Sequence, residues 1–244
     1  MRRKLSQCFI VVFAGVSIAL LALSGCATRS ISNSGYPGNY YDRNEMYTGE
    51  LSEFSVLGID PAVEISEERI AEAFNNEHQV SMKPGTALLL IQSGAQFPDE
   101  PMQRELSKHF RIVPFSGAVD KESAKINLSK PLRLAAAQGQ CDVIVCYWGV
   151  LETAQKDLAT KAVSWVPVVG RVVPDETQQM RIRLKMVLVD ARTGNWKMIA
   201  PEPFVDMGAS AKLNRESSDQ SQVNKLKEQA YVALAEQLRL RAAS

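Results

Sequence analysis

The chain has 244 residues, with 28 Lys plus Arg against 27 Asp plus Glu, two histidines and four cysteines. Its first 26 residues carry three of the basic side chains and no acidic one, which leaves the remainder close to −2 in net charge. A near-neutral stretch of this length suits one medium domain, and it lacks the basic excess on which nucleic-acid or polybasic membrane contacts depend.

In chain order, Arg2, Arg3 and Lys4 precede an unbroken apolar run from Phe9 to Leu23, and small residues follow. That is the layout of an export signal. At ~1.5 Å per helical residue the run is shorter than the ~30 Å hydrocarbon core, which favours a cleaved signal over a retained span. Leu23-Ser24-Gly25-Cys26 resembles the lipobox of bacterial lipoproteins. The resemblance implies cleavage between Gly25 and Cys26, acylation of the Cys26 thiol, and a mature chain that begins at Cys26. Ala27 is not Asp, and the resemblance then implies sorting to the outer membrane, with the domain on the periplasmic face. Each buried CH₂ contributes about 0.8 kcal/mol, so one acyl chain binds marginally and several make a durable anchor. The expected organisation is a signal peptide over 1–25, a lipidated N-terminus and flexible tether over 26–50, and a periplasmic α/β domain over 51–244.

The tether assignment rests on a polar, small and tyrosine-bearing composition without a sustained apolar period. Ser66 then reads as an N-cap, with Glu67 and Glu68 in the first helical turn and Ile70, Ala73 and Phe74 on one apolar face. After the breaker Lys83-Pro84-Gly85, Thr86–Ile91 reads as a buried strand. A helix over Pro101–Phe110 aligns Met102, Leu106 and Phe110, and Arg111–Phe115 follows as a strand that Pro114 would place at an edge or end early. The next helix, Lys130–Gln138, is expected to be capped by Ser129 and stopped by Gly139. It leads to a central strand, Asp142–Val150. Residues 151–179 form an insertion with an apolar hairpin pattern over Ala162–Val173. Ile182–Asp190 alternates as a half-buried strand, Arg192–Asn195 has turn chemistry, and Trp196–Ile199 returns beside it. A closing amphipathic helix, about Ser221–Arg241, places Val223, Leu226, Ala230, Leu234 and Leu238 on one face. The sum is an α/β (α+β) domain: a single mixed sheet covered by helices, with a β-hairpin insertion and a C-terminal amphipathic helix.

Three pieces of this order carry a further likeness. Ala135-Ala136-Ala137-Gln138-Gly139 leads into Cys141–Val145, Leu188–Gly194 ends a strand in Asp-x-x-Thr-Gly, and the closing helix follows. They resemble a group of periplasmic lipoprotein domains: the curli-secretion (CsgG-like) lipoproteins, the lipoprotein activators of penicillin-binding proteins, and the N-terminal domain of the Tol translocation protein. Trp165–Pro201 is also similar to the rhombotarget lipoproteins. This resemblance implies a non-catalytic accessory or assembly protein.

Catalytic constellations are sparse. His78 and His109 stand in no metal-ligand spacing, and no cofactor is implied. Ser93 follows a strand but lacks the glycine that precedes a nucleophile elbow. Asp99, Glu100 and Glu105 read as a helix start rather than an acid–base pair, and Asp190 and Arg192 as turn and surface residues. Cys141 and Cys146 lie five residues apart along an extended segment, roughly 16 Å, too far for one disulfide, and read as buried apolar groups, with an intermolecular bridge as the alternative. The hairpin around Trp165, Val166, Val168 and Val169 reads as core packing or as a partner surface; it is too short in alternation for a membrane strand. The expectation is therefore not an enzyme but a lipoprotein, membrane-bound through Cys26, that binds another envelope protein. A periplasmic hydrolase acting on peptide or cell wall and drawing on Ser93, His78 or His109, and a structural subunit of an envelope secretion complex, are the alternatives, and a homo-oligomer is compatible with either.

Overall fold

The computed structural model describes residues 30–33, 47, 49–75, 80–119, 126–156, 163–167, 177–209 and 215–243. Strand β1 (Ala87–Gln92) is buried at every position, as its continuous apolar sequence requires. It pairs in parallel with β2 (Arg111–Phe115) on one side and with β3 (Val143–Lys156) on the other. Strand β5 (Thr177–Asp190) runs antiparallel to β3, and β6 (Trp196–Ile199) antiparallel to β5, giving the order β2-β1-β3-β5-β6. The sheet is mixed, as expected, and Pro114 lies in the edge strand β2, where its missing N–H interrupts no ladder within the sheet.

Strand alternation divides the core in two. On one face Leu88, Leu90, Val143, Val145, Tyr147, Met186 and Leu188 meet α3 (Glu100–Ser107) and α5 (Arg215–Ala243). Met102, Leu106 and Phe110 are buried there together with Val223, Leu226, Ala230, Leu234 and Leu238, the two stripes read from the sequence. On the other face Leu89, Ile91, Ile144, Cys146, Trp148 and Val187 meet Leu132 and Ala136 of α4 (Ser129–Gln138) and Val56 of α1 (Glu53–Leu57). Cys141 and Cys146 are free and buried, consistent with their reading as apolar groups.

Both β3 and β5 are 14 residues long and outrun this five-stranded body. Two more strands pair with their far halves. β4 (Val163–Pro167) lies beside residues 152–156 of β3, and β7 (Phe204–Ala209) beside residues 177–182 of β5. The hairpin insertion is thus β3–β4, with Trp165 opposite Ala154. Glu152, Gln155 and Lys156 make the far half of β3 look like a loop in sequence. The remainder of the expected hairpin, 168–173, lies outside the described residues.

Some local expectations need correction. Ser129 is the first residue of α4 rather than its cap: Leu128 holds the cap position, and the Ser129 N–H donates to Asn127 Oδ1 at 3.1 Å. Gly139 keeps φ −77°, and Gln140 takes the left-handed turn at φ 53°. Helix α2 (Glu67–Asn75) forms where expected, with the Arg69 N–H donating to Ser66 Oγ at 3.3 Å. Its apolar side, however, is not part of the core, and none of its residues is buried.

The largest correction concerns the tether. Ser30 forms an antiparallel bridge with Val150, and Ile31–Asn33 makes a 3₁₀ turn whose Ile31 is 1% exposed. Ile31 sits in a slot left by Gly149 of β3. A Cβ at Gly149 would lie 2.7 Å from Ile31 Cγ2 and 2.5 Å from Leu184 Cδ2. One isoleucine among Ser, Asn and Gly has no period to betray it.

Candidate binding cleft

From β1 the chain crosses through α3 to β2 on one side, then through α4 back to β3 on the other. The carboxyl ends of β1 and β3 therefore flank a topological switch point, the place where open α/β sheets form a crevice. Here the crevice receives the chain's own N-terminal segments, one on each face of the sheet.

On the α3/α5 face, Gln92 Nε2 donates to Ser32 Oγ at 3.0 Å, and Ser32 Oγ donates to the Ser93 carbonyl at 2.5 Å. The other end of the Gln92 amide accepts from Tyr147 OH (2.5 Å) and from the Asp99 N–H (2.7 Å). Lys227 Nζ donates both to the Ile31 carbonyl (2.8 Å) and to Asp99 Oδ2 (2.9 Å), and Tyr231 OH donates to the same carboxylate oxygen at 2.6 Å. Burial first, and Asp99 second, push the Tyr147 and Tyr231 hydroxyls well above their ordinary range, so both stay protonated donors. The network ties Ile31, the β1–α3 loop and α5 into one unit, and it satisfies a buried ammonium that would otherwise be costly.

On the opposite face, the Leu51 N–H donates to Ser93 Oγ (2.7 Å), and Trp148 Nε1 donates to the Leu51 carbonyl (2.8 Å). These bonds hold Tyr47 and residues 49–59 as one wall of a cleft of about 660 Å³. Trp148, Trp196, Met198, Phe54, Leu57 and Ile59 supply apolar lining; Lys185, Glu50, Glu53 and Tyr47 supply the polar groups. Lys185 Nζ lies 5.7 Å from the centroid of a Trp148 ring and pairs with Glu53. Burial raises the Glu50 carboxyl above its ordinary value, against the hydroxyls of Ser30, Ser93 and Tyr47 and the charge of Lys185. Its Oε2 is buried and makes no hydrogen bond among the described residues. Burial, then Glu50, pushes Tyr47 up to about 12. Apolar walls with a few convergent polar groups are the ordinary make-up of a recognition site.

Among the residues singled out from sequence, Ser93 borders this region but is 1% exposed, its Oγ occupied by the Leu51 N–H. His109 accepts the Gly85 N–H through its carbonyl, before β1 begins, whereas Ser93 follows its end; six extended residues separate them by about 20 Å. His78 lies outside the described residues. Asp99 is engaged by Lys227 and Tyr231, Glu100 starts α3, and Glu105 pairs with Arg104 and Lys108. Asp190 Oδ1 accepts from the N–H groups of Arg192 and Thr193, the turn expected there. Trp165 and Val166 are in β4, opposite Ala154 and Thr153, roughly 20 Å along β3 from Trp148. Gly25, Cys26, Val168 and Val169 lie outside the described residues. Sequence reasoning missed Glu50, Trp148, Lys185 and Trp196 as a group. The available signal was parity, since Trp148 shares a face with Cys146, and Lys185 with Val187.

A family model described as YafT bacterial lipoprotein matches residues 52–241, from the start of α1 to the last turn of α5. The chain belongs to the YafT bacterial lipoprotein family. No curated protein matches it. Membership in a bacterial lipoprotein family fits a lipid-anchored, membrane-associated protein, and the match spans the cleft from Ser52 onward. Among the described residues no helix is long and apolar enough to cross a membrane.

Proposed function

We propose that this lipoprotein is a non-enzymatic accessory or assembly factor, anchored in the outer membrane through lipid on Cys26, whose periplasmic domain binds another envelope protein. The observation that carries this reading is the docking of Ser30–Asn33 into the domain. Ser30 is only four residue steps from Cys26, a reach of roughly 14 Å, against roughly 80 Å for a free tether from Cys26 to Glu50. Such a leash holds the cleft, which Ser30 helps to line, beside the bilayer. A buried Ser93 remote from His109 supports the non-catalytic part of the reading. The layout of a helix-covered mixed sheet supports kinship with the accessory lipoproteins named above, and the β4 edge carrying Trp165 is a second candidate contact.

The test has two arms. Wild-type protein should incorporate labelled palmitate and fractionate with outer membrane, and Cys26→Ser should lose both; retention of either defeats the anchoring claim. Crosslinking in intact cells should trap one envelope protein. Capture that is no different from a lipoprotein of unrelated fold defeats the binding claim.

A further inference from the structure

The stretch from Glu53 to Asn75 is exposed in a way its sequence does not lead one to expect. Phe54, Val63, Ile65, Ile70 and Phe74 are all solvent-facing, Phe74 at 88%. Interleaved with them are Glu53, Asp60, Glu64, Glu67, Glu68 and Glu72, against Arg69 as the single basic residue. Scattered exposed apolar groups need no explanation, but five within one short segment, on elements that adjoin the cleft through Phe54, form a patch.

Helix α2 sharpens this. It is nine residues long, and isolated helices below about 12–15 residues are marginal in water; packing of an apolar face normally supplies what is missing. Ile70 and Phe74 stand one turn apart on that face, yet the helix buries no residue. Its start is well specified by Ser66 and by Glu67 and Glu68 in the first turn. A helix begun so definitely and left uncovered by the described residues is shaped for a partner.

Charge decides which partner. Glu53 is paired with Lys185, and anionic lipid headgroups would still meet the other five carboxylates, so a bilayer is disfavoured although it is close. An apolar stripe framed by acid instead complements a cationic amphipathic helix, the helix-in-groove mode of recognition. We infer that the Glu53–Asn75 ridge is the docking surface for a basic amphipathic segment of the partner protein; the inference rests on the binding role proposed above.

The probe is a fluorescein-labelled Leu/Lys amphipathic 14-residue peptide, with a Leu/Glu counterpart, titrated by anisotropy against the full lipidated protein in phosphatidylcholine nanodiscs, with empty discs subtracted. The Leu/Lys peptide should bind, the Leu/Glu peptide should not, and binding should weaken with added NaCl. Ile70→Ser with Phe74→Ser should cost at least tenfold in affinity. Both side chains are exposed, so the double variant should keep the wild-type Tm. Equal binding of both peptides, no binding above empty discs, or an unaffected double variant overturns the inference. So does a label at position 74 that reports insertion into anionic discs. In cells, a photo-crosslinker replacing Phe74 should capture the partner while one replacing Leu134 on α4 does not. Capture at Trp165 with silence at both 54 and 74 refutes this surface but leaves the binding role standing; silence at every position refutes the role itself.

Discussion

Ser30–Asn33 and Glu67–Asn75 are both short segments beside the sheet, and they invert what local sequence suggests. The first is polar with one isoleucine, yet Ser30, Ile31 and Ser32 are buried. The second is a capped amphipathic helix, yet nothing in it is buried. What separates them is the receiving surface. The switch-point end of the sheet offers Ile31 the gap above Gly149, and it offers Ser32 and the Ile31 carbonyl hydrogen-bonding partners in Gln92, Ser93 and Lys227. Among the described residues Ile70 and Phe74 find no such slot and stay exposed. Burial follows from the vacancy the rest of the fold presents, and periodicity reports only that a face is able to fill one.

The comparison breaks most readily at Ile31. Truncation to Ala removes a fully buried side chain from the core, and about 2–4 kcal/mol of stability should go with it. Urea unfolding of the full chain measures this; a cost no larger than that of Phe74→Ala would mean the segment is only laid against the domain. Next in size is Asp99→Ala, which strips the counter-charge from a nearly buried Lys227 and an acceptor from Tyr231. Its expected cost is about 2–3 kcal/mol, the Asp99 side chain being partly exposed. Lys227→Met should cost less than Asp99→Ala: it takes a donor from the Ile31 carbonyl, but it leaves no buried ammonium without its counter-charge, and Asp99 keeps its bond from Tyr231. The reverse order, read from the same unfolding curves, would contradict the assignment of Lys227 as the group in need of a partner.

The same contrast explains how far the fold could be read in advance. β1, α3, β5 and α5 carry strong apolar patterns over many residues, and each appears where its pattern lies. β7 and α1 were not anticipated. Phe204 and Val205 sit among polar and proline neighbours, and Glu53–Leu57 is too short to establish a helical period. The cleft was illegible for a further reason. Glu50, Trp148, Lys185 and Trp196 are far apart in the chain and ordinary in their own contexts. Trp148 and Lys185 face each other across the β3–β5 register, and Glu50 joins them because residues 49–52 fold back on the end of the sheet through Ser93 and Trp148. That closure depends on single backbone hydrogen bonds, which leave no compositional trace.

Smaller effects test the cleft side of the docked segment. A carboxyl whose pKa is raised on folding binds its proton more tightly in the folded state. Its stabilising contribution is whole below the ordinary value near 4.5 and is lost as pH rises through the raised value. Glu50→Gln should therefore be more stable than wild type at pH 7–8, with the gap closing towards pH 4. A gap that widens on acidification would show that Glu50 acts as a stabilising anion, through Lys185, rather than as a buried acid.

The smallest expected effect belongs to Phe74. With its side chain 88% exposed, Phe74→Ser should change stability by no more than about 0.5 kcal/mol, although a phenylalanine is lost. A larger loss would mean that α2 is held by contacts of its own within this chain, and its resemblance to a partnerless face would vanish. A null result in urea joined to a loss of peptide binding would separate the two segments on energetic grounds: Ile31 contributes to folding, and Phe74 contributes only when something else arrives to cover it.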